Sequence, residues 1–235
     1  YNIFMAIKTV YTCENCAFQS PRWQGKCPSC GEWNSFQEQT IQTTKKSVGS
    51  ISFGSAVKPV QLSEVRQNKV PRILTGIGEL DLVLGGGIVP GSVILLGGDP
   101  GIGKSTLALQ LANLLEKANQ SVLYVSGEES AQQIAMRNQR LTLKEDILVL
   151  AETDLELAIA TIEQFKPTAV IIDSIQTMSS SEAGGVTGGV AQLSYVTNQL
   201  IRLAKRLHVA IILIGHVTKE GMLAGPKTIE HMVDC

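Results

Sequence analysis

An α/β fold with a mostly parallel, doubly wound sheet is predicted by three features of the sequence. Short, apolar, β-branched runs alternate with helical spacings from residue 73 onward. A glycine-rich stretch ending in Gly103-Lys104-Ser105 joins one of those runs to one of those helices. The 235 residues are 44 % apolar and 17 % charged, which supports a packed core and excludes global disorder. A small four-cysteine unit precedes this core.

The cysteines come first along the chain. Cys13-Glu-Asn-Cys16 and Cys27-Pro-Ser-Cys30 form two pairs separated by ten residues. Each short turn can present two thiolates to one tetrahedral Zn2+, with bonds of about 2.3 Å. Phe18, Trp23, Trp33 and Phe36 supply aromatic cover to a segment too small for its own core, so the metal would contribute its stability. Two disulfides or a redox pair are the other readings. Disulfides suit a secreted chain, and the first ten residues lack a basic start and a long apolar run. Four thiolates fill a tetrahedral site, so the unit is read as structural or docking. Six basic side chains stand against three acids in residues 1–60. The formal −2 of a zinc tetrathiolate cuts that excess of three to about +1, too little to mark a nucleic-acid patch.

Residues 37–58 are rich in Gln, Thr, Ser, Gly and Lys without a sustained apolar period, and read as a linker. The expected organisation is a zinc module over 1–36, the linker over 37–58 and a larger α/β core over 59–235. Residues 1–4 stand outside a plausible start at Met5. Val233-Asp234-Cys235 reads as the start of a further strand, so the chain is taken as part of a longer one.

In the core, residues 93–96, 122–126, 147–151, 169–172 and 209–214 are short and branched, as strands buried on both faces are. Residues 106–118, 131–140, 155–165 and 190–207 carry helical spacing. In the last, Leu193, Val196, Leu200, Leu203 and Leu207 form one stripe and Arg202, Lys205 and Arg206 lie off it.

Gly98-Asp99-Pro100-Gly101-Ile102-Gly103-Lys104-Ser105-Thr106 contains the full G-x-x-x-x-G-K-[ST] pattern between a strand and a helix. Glycines let the backbone amides face phosphate oxygens, and the helix N-terminus adds partial positive charge. The expected ligand is ATP or ADP: Lys104 is expected to reach the β-phosphate and, in ATP, the γ-phosphate, and Ser105 to ligate Mg2+. Asp173 ends an apolar strand and is expected to hold the magnesium water shell; a strand-end cap is the plainer role. Glu128 and Glu129 end another strand, and periodicity does not choose which of them activates water. His216 ends a third strand, where it either touches the γ-phosphate or is an ordinary loop histidine.

Together these residues resemble the bacterial RadA/Sms DNA-repair ATPases of the RecA-like superfamily. The resemblance runs through the four cysteines, Thr75-Gly-Ile-Gly-Glu-Leu-Asp81, Gly85-Gly-Gly87, the phosphate loop and Tyr124-Val-Ser-Gly-Glu-Glu-Ser130. It continues through Ile171-Ile-Asp-Ser-Ile-Gln176 and Gly215-His-Val-Thr-Lys219. It implies a RecA-like P-loop core that hydrolyses ATP, binds single-stranded DNA and recombination intermediates, and promotes branch migration. It implies rings, expected to be hexamers, in the cytoplasm, with a recombinase or helicase as partner. On it, Glu128 matches the catalytic glutamate and His216 a γ-phosphate sensor. Residues 178–192 and 219–230, the latter with Lys219 and Lys227, match DNA-facing loops. The family's K-N-R-F-G motif and Lon-protease-like domain do not occur in these 235 residues. A regulatory ATPase that does not move DNA, and an adaptor docking through its zinc module, are the alternatives. The net charge of −1 excludes a protein that coats nucleic acid or anionic membrane by bulk charge. The longest apolar run, 209–214, is far short of the ~18 residues a membrane span needs.

Overall fold

A computed structural model describes residues 6–13, 19–20, 22–28, 33–34, 36–43, 61–62, 71–216 and 229–235. The chain divides into two compact units, residues 1–67 and 68–235.

In the first unit, β1 (Ala6–Cys13) pairs antiparallel with β2 (Gln19–Ser20) and with β3 (Phe36–Thr43). The β1–β3 register runs without a break from Cys13↔Phe36 to Ala6↔Thr43. Residues 37–43 are therefore strand, not the start of a linker as their composition suggests. Gln37, Gln39 and Gln42 leave no apolar alternation to read, and the segment is held by its backbone ladder to β1. The rest of the expected linker, 44–58, lies outside the described residues.

The second unit carries the doubly wound sheet. β4 (Val93–Gly98), β5 (Val122–Ser126), β6 (Leu148–Ala151), β7 (Ala169–Asp173) and β8 (Ala210–His216) form five parallel strands in the order β4-β8-β7-β5-β6. The short α1 (Gly78–Val83) precedes β4. α2 (Lys104–Lys117), α3 (Ala131–Arg140), α4 (Leu155–Phe165) and α5 (Val190–Leu207) are the crossovers. The period-2 side-chain alternation of a strand distributes these residues between two cores. Val170 and Ile172 join Leu155, Ile162, Leu193, Val196, Leu200 and Leu203 of α4 and α5 on one face. Ala169 and Ile171 join Ala108, Leu111, Ala112, Leu115 and Ile134 of α2 and α3 on the other. Burying a strand on both faces requires apolar residues at every position, which is why 169–172 reads as an uninterrupted run.

At the outer edge of β4, Asp234 N–H donates to Val93 O (2.9 Å) and Leu95 N–H donates to Cys235 O (2.8 Å). The Asp234 side chain accepts from Val93 N–H (2.8 Å). The last residues thus lie along the open side of β4, where a further strand would pair. Among the described residues, no helix is long and apolar enough to cross a membrane.

Candidate nucleotide site at the sheet edge

Parallel strands bring all their C-terminal ends to one edge, where α/β sheets hold ligands. At that edge the register aligns Gly98 with His216, Asp173 with Ile214, and Ser126 with Asp173. The phosphate loop, His216, Asp173 and the Glu128 turn therefore follow one another across β4, β8, β7 and β5. They span more than a hundred residues of sequence and share one rim.

The loop itself fits a chain of phosphates. Gly101 (φ 79°) and Gly103 (φ 106°) take left-handed conformations, and a Cβ at either would meet nothing within 4 Å. The first i→i−4 bond of α2 is Leu107 N–H to Gly103 O (2.9 Å), so the amides of Lys104, Ser105 and Thr106 precede the helical ladder. Among the described residues no side chain caps them. Lys104 is 6 % exposed and its Nζ donates to Gly98 O (2.8 Å) and Asp99 O (2.9 Å). The loop closes on its own lysine, and anionic oxygens are the stronger acceptors to which that lysine can turn.

Asp173 is buried, and its two oxygens differ. Oδ2 accepts from the Tyr124 hydroxyl at 2.5 Å, while Oδ1 is buried with no hydrogen-bond partner among the described residues. An unpaired carboxylate oxygen at depth is costly unless a cation or its water meets it, so the donor set fits a hydrated Mg2+. Burial first, then the charge of Asp173, holds the Tyr124 phenol above its ordinary range, so it stays a donor.

The adjacent glutamates part company. Glu128 Oε1 accepts from Ser174 Oγ (2.5 Å) and lies 3.1 Å from His216 Nε2. The Nε2–H tautomer of His216 satisfies this contact, and Gln176 Nε2 donates to the His216 carbonyl (3.2 Å). Glu129 instead pairs with Arg137 on α3, and its N–H donates to Ser126 Oγ (3.0 Å). Ser130 caps α3 through a capping box with Gln133, turning this stretch of chain into the helix. The glutamate pair is thus divided between the site and the helix.

Tyr124, Ser174 and Gln176 lie in stretches that carry the family resemblance, but the sequence gives none of them a role of its own. For Tyr124 a signal was a phenol inside a buried strand, whose hydroxyl needs a partner.

Gly127 sets how closely the β5 and β7 ends approach. Its N–H donates to Asp173 O (2.9 Å), and a Cβ there would stand 2.0 Å from Thr177 Oγ1 and 2.7 Å from Thr177 Cβ. Thr177 is not free to swing, because its hydroxyl donates to Ser174 O (2.8 Å). Gly127→Ala is expected to destabilise the fold by about 1–3 kcal/mol through overpacking. A denaturant midpoint equal to that of the parent would contradict this packing.

The segment 178–192 is anchored at both ends. Gln192 is buried and bonds Ser180 N–H, Ser180 O and Ala183 O, at 2.9–3.0 Å. Ser180 Oγ donates to Glu156 (2.5 Å). Its one charged residue, Glu182, accepts from the Tyr195 hydroxyl (2.7 Å). A nucleic acid here would meet amides and small side chains rather than cations. Of the second expected loop, residues 219–228 with Lys219 and Lys227 lie outside the described residues.

Of the four expected zinc ligands, Cys27 is buried. Cys16, Cys30 and the side chain of Cys13 lie outside the described residues. Among the described residues no group of three or more His, Cys, Asp or Glu could hold a metal ion.

The sequence matches the AAA domain family over residues 59–222. The chain belongs to the AAA domain family. A second match, to a rubredoxin metal binding domain, covers residues 11–38. The RadA resemblance runs over nearly all of this chain. The chain is 49 % identical over 230 residues to a DNA repair protein RadA of Halalkalibacterium halodurans, covering 97 % of this chain and 50 % of that protein. It is 48 % identical over 230 residues to the protein of that name from Pseudomonas aeruginosa and 43 % over 231 to that from Bacillus subtilis, with the same coverage. The chain spans about half the length of these curated relatives. A solved DnaB-like replicative helicase, described with its primase interactions, superposes with a TM-score of 0.54 at 17 % identity, over 66 % of this chain and 46 % of that one. That likeness shows the fold alone, in keeping with the parallel α/β sheet of the second unit.

Proposed function

We propose that this chain is the nucleotide-hydrolysing part of a DNA-dependent ATPase of recombinational repair, working in the cytoplasm. The observation that carries the proposal is the convergence of Lys104, Asp173, Glu128 and His216 on one sheet edge, with Glu128 Oε1 held at 2.5 Å by Ser174 and 3.1 Å from His216. The relatives' shared description as DNA repair proteins supports the biological setting.

Each residue then has a task. The amides of the phosphate loop and the N-terminus of α2 bind the phosphates, and Lys104 leaves Gly98 and Asp99 to meet the β- and γ-phosphates. Ser105 and Asp173 would hold Mg2+ and its water, which supplies charge neutralisation on the phosphates. Ser174 and His216 fix one oxygen of Glu128, and the other takes the proton of the attacking water as ADP and inorganic phosphate form. His216 would sense the γ-phosphate through its contact with Glu128, and the bond from Gln176 to the His216 carbonyl supports a link to the turn after β7.

We extend the reading to single-stranded DNA and recombination intermediates, to hexameric rings that promote branch migration, and to a recombinase or helicase partner. The test is ATP turnover by the whole protein, titrated with single-stranded DNA at several salt concentrations. Stimulation that weakens as salt rises is the expected result, because phosphate contacts release counterions. An equal rate with and without DNA at every salt concentration would replace this reading with the regulatory one.

We propose that Cys13, Cys16, Cys27 and Cys30 hold one Zn2+, as the metal-binding match over residues 11–38 supports. Metal analysis is expected to return one zinc per chain. Chelation is expected to unfold the β1–β3 unit while leaving nucleotide binding in place, because the metal supplies folding energy only to the ribbon. Full retention of the ribbon's amide protection after zinc removal would count against a structural metal.

A further inference from the structure

We infer that Tyr124 is the positioning residue of the magnesium-side carboxylate: its phenol holds Asp173 Oδ2 so that Oδ1 points at metal-bound water. The inference rests on the reading of Asp173 given above and adds a residue to it.

A carboxylate turns about its last side-chain bond, so an oxygen that must face a cation has to be held from behind. Metal-ligating groups are commonly fixed by a second partner that also tunes their basicity. Tyr124 meets that requirement by geometry. It stands on β5, the strand beside β7, and is 1 % exposed. Its ring sits in the core with Ile134, Ile171 and Ile212, which leaves the hydroxyl little freedom. The hydroxyl donates to Oδ2 at 2.5 Å, and an ionised carboxylate can only accept. Oδ1, on the same group, is buried without a hydrogen-bond partner among the described residues. One oxygen of the pair is thus satisfied by the core and the other is kept unsatisfied. A purely structural tyrosine–aspartate pair gives no reason for a second buried oxygen without a donor. Tyr124 is also four residues before Glu128, so one strand and its turn steady the acid on the metal side and carry the acid on the water side.

The test measures nucleotide binding rather than turnover, using the whole chain and a fluorescent ADP analogue titrated with Mg2+ or with EDTA present. Tyr124→Phe keeps the ring and removes one oxygen. It is expected to leave affinity in EDTA unchanged and to raise the Mg2+ concentration for half-maximal enhancement by about 10- to 100-fold. Asp173→Asn is expected to abolish the enhancement, and Tyr124→Phe added to it to change nothing further. An unchanged Mg2+ midpoint in Tyr124→Phe, or a shift that persists on the Asp173→Asn background, would overturn the inference. If Asp173→Asn keeps the full enhancement, the role of Asp173 fails; if the parent binds no nucleotide at all, the phosphate-loop reading fails. A measurement on the native tyrosine covers the case in which Tyr124→Phe does not fold. In protein carrying Tyr1→Phe, Tyr11→Phe and Tyr195→Phe, Tyr124 is the one remaining tyrosine. Its 13C-labelled Cζ signal is expected to move when Mg2+ joins the ADP complex, and a signal that stays in place would overturn the inference.

Discussion

Lys104→Ala is expected to abolish measurable ATP turnover, a loss of at least ~10²-fold of the size seen when a charge-stabilising donor is removed. The lysine is placed for this by three constraints. It is the first residue of α2, it follows a left-handed glycine that opens the loop, and it is 6 % exposed. Its ammonium donates to the carbonyls of Gly98 and Asp99, so in this state the charge is held at the loop it will serve. Moving to phosphate exchanges neutral acceptors for anionic ones, which strengthens the bonds as negative charge develops. Alanine removes the donor from both states. The two carbonyls lie at the sheet rim, so the folding cost should stay within about 1–3 kcal/mol. Turnover assays, circular dichroism and zinc content taken together check this. Turnover close to that of the parent, in protein that is folded and metal-replete, would defeat the phosphate-loop mechanism.

Glu128→Gln and Glu129→Gln are expected to separate sharply. The first should lose about 10²- to 10⁴-fold in turnover, the range for a general base. Glutamine keeps the shape and can still accept from Ser174, but it cannot take a proton from water. The second should leave turnover near the parental value. Glu129 pairs with Arg137 on α3, and both side chains are partly exposed, so its loss should cost about 0.2–1 kcal/mol of stability. The reverse ranking, with Glu129→Gln the more damaged enzyme, would show that the ion pair opens when nucleotide binds and would reassign the base.

Much of the second unit was legible because its signals are local. Strands 169–172 and 209–214 are apolar at every position because both faces are covered. The α5 stripe from Leu193 to Leu207 repeats at helical spacing because one face is buried. The phosphate loop is a contiguous motif, and its function depends on backbone amides that neighbouring glycines expose. The metal-binding match over residues 11–38 falls where the two C-x-x-C pairs lie, a short-range pattern of the same kind. β3 does not read as a strand because its polar residues hide the alternation, while its pairing with β1 spans distant sequence.

The pairings across the rim had no such local signal. Ser174 and His216 reach Glu128 from 46 and 88 residues away, and Tyr124 meets Asp173 across 49. Amino-acid order alone settled the layered class, the phosphate loop and the thiol spacing, because those depend on side-chain period and adjacent backbone. Which glutamate faces the site, and which hydroxyl steadies which carboxylate, were decided by strand order and register. Those long-range pairings come into being only when the strands assemble into one sheet.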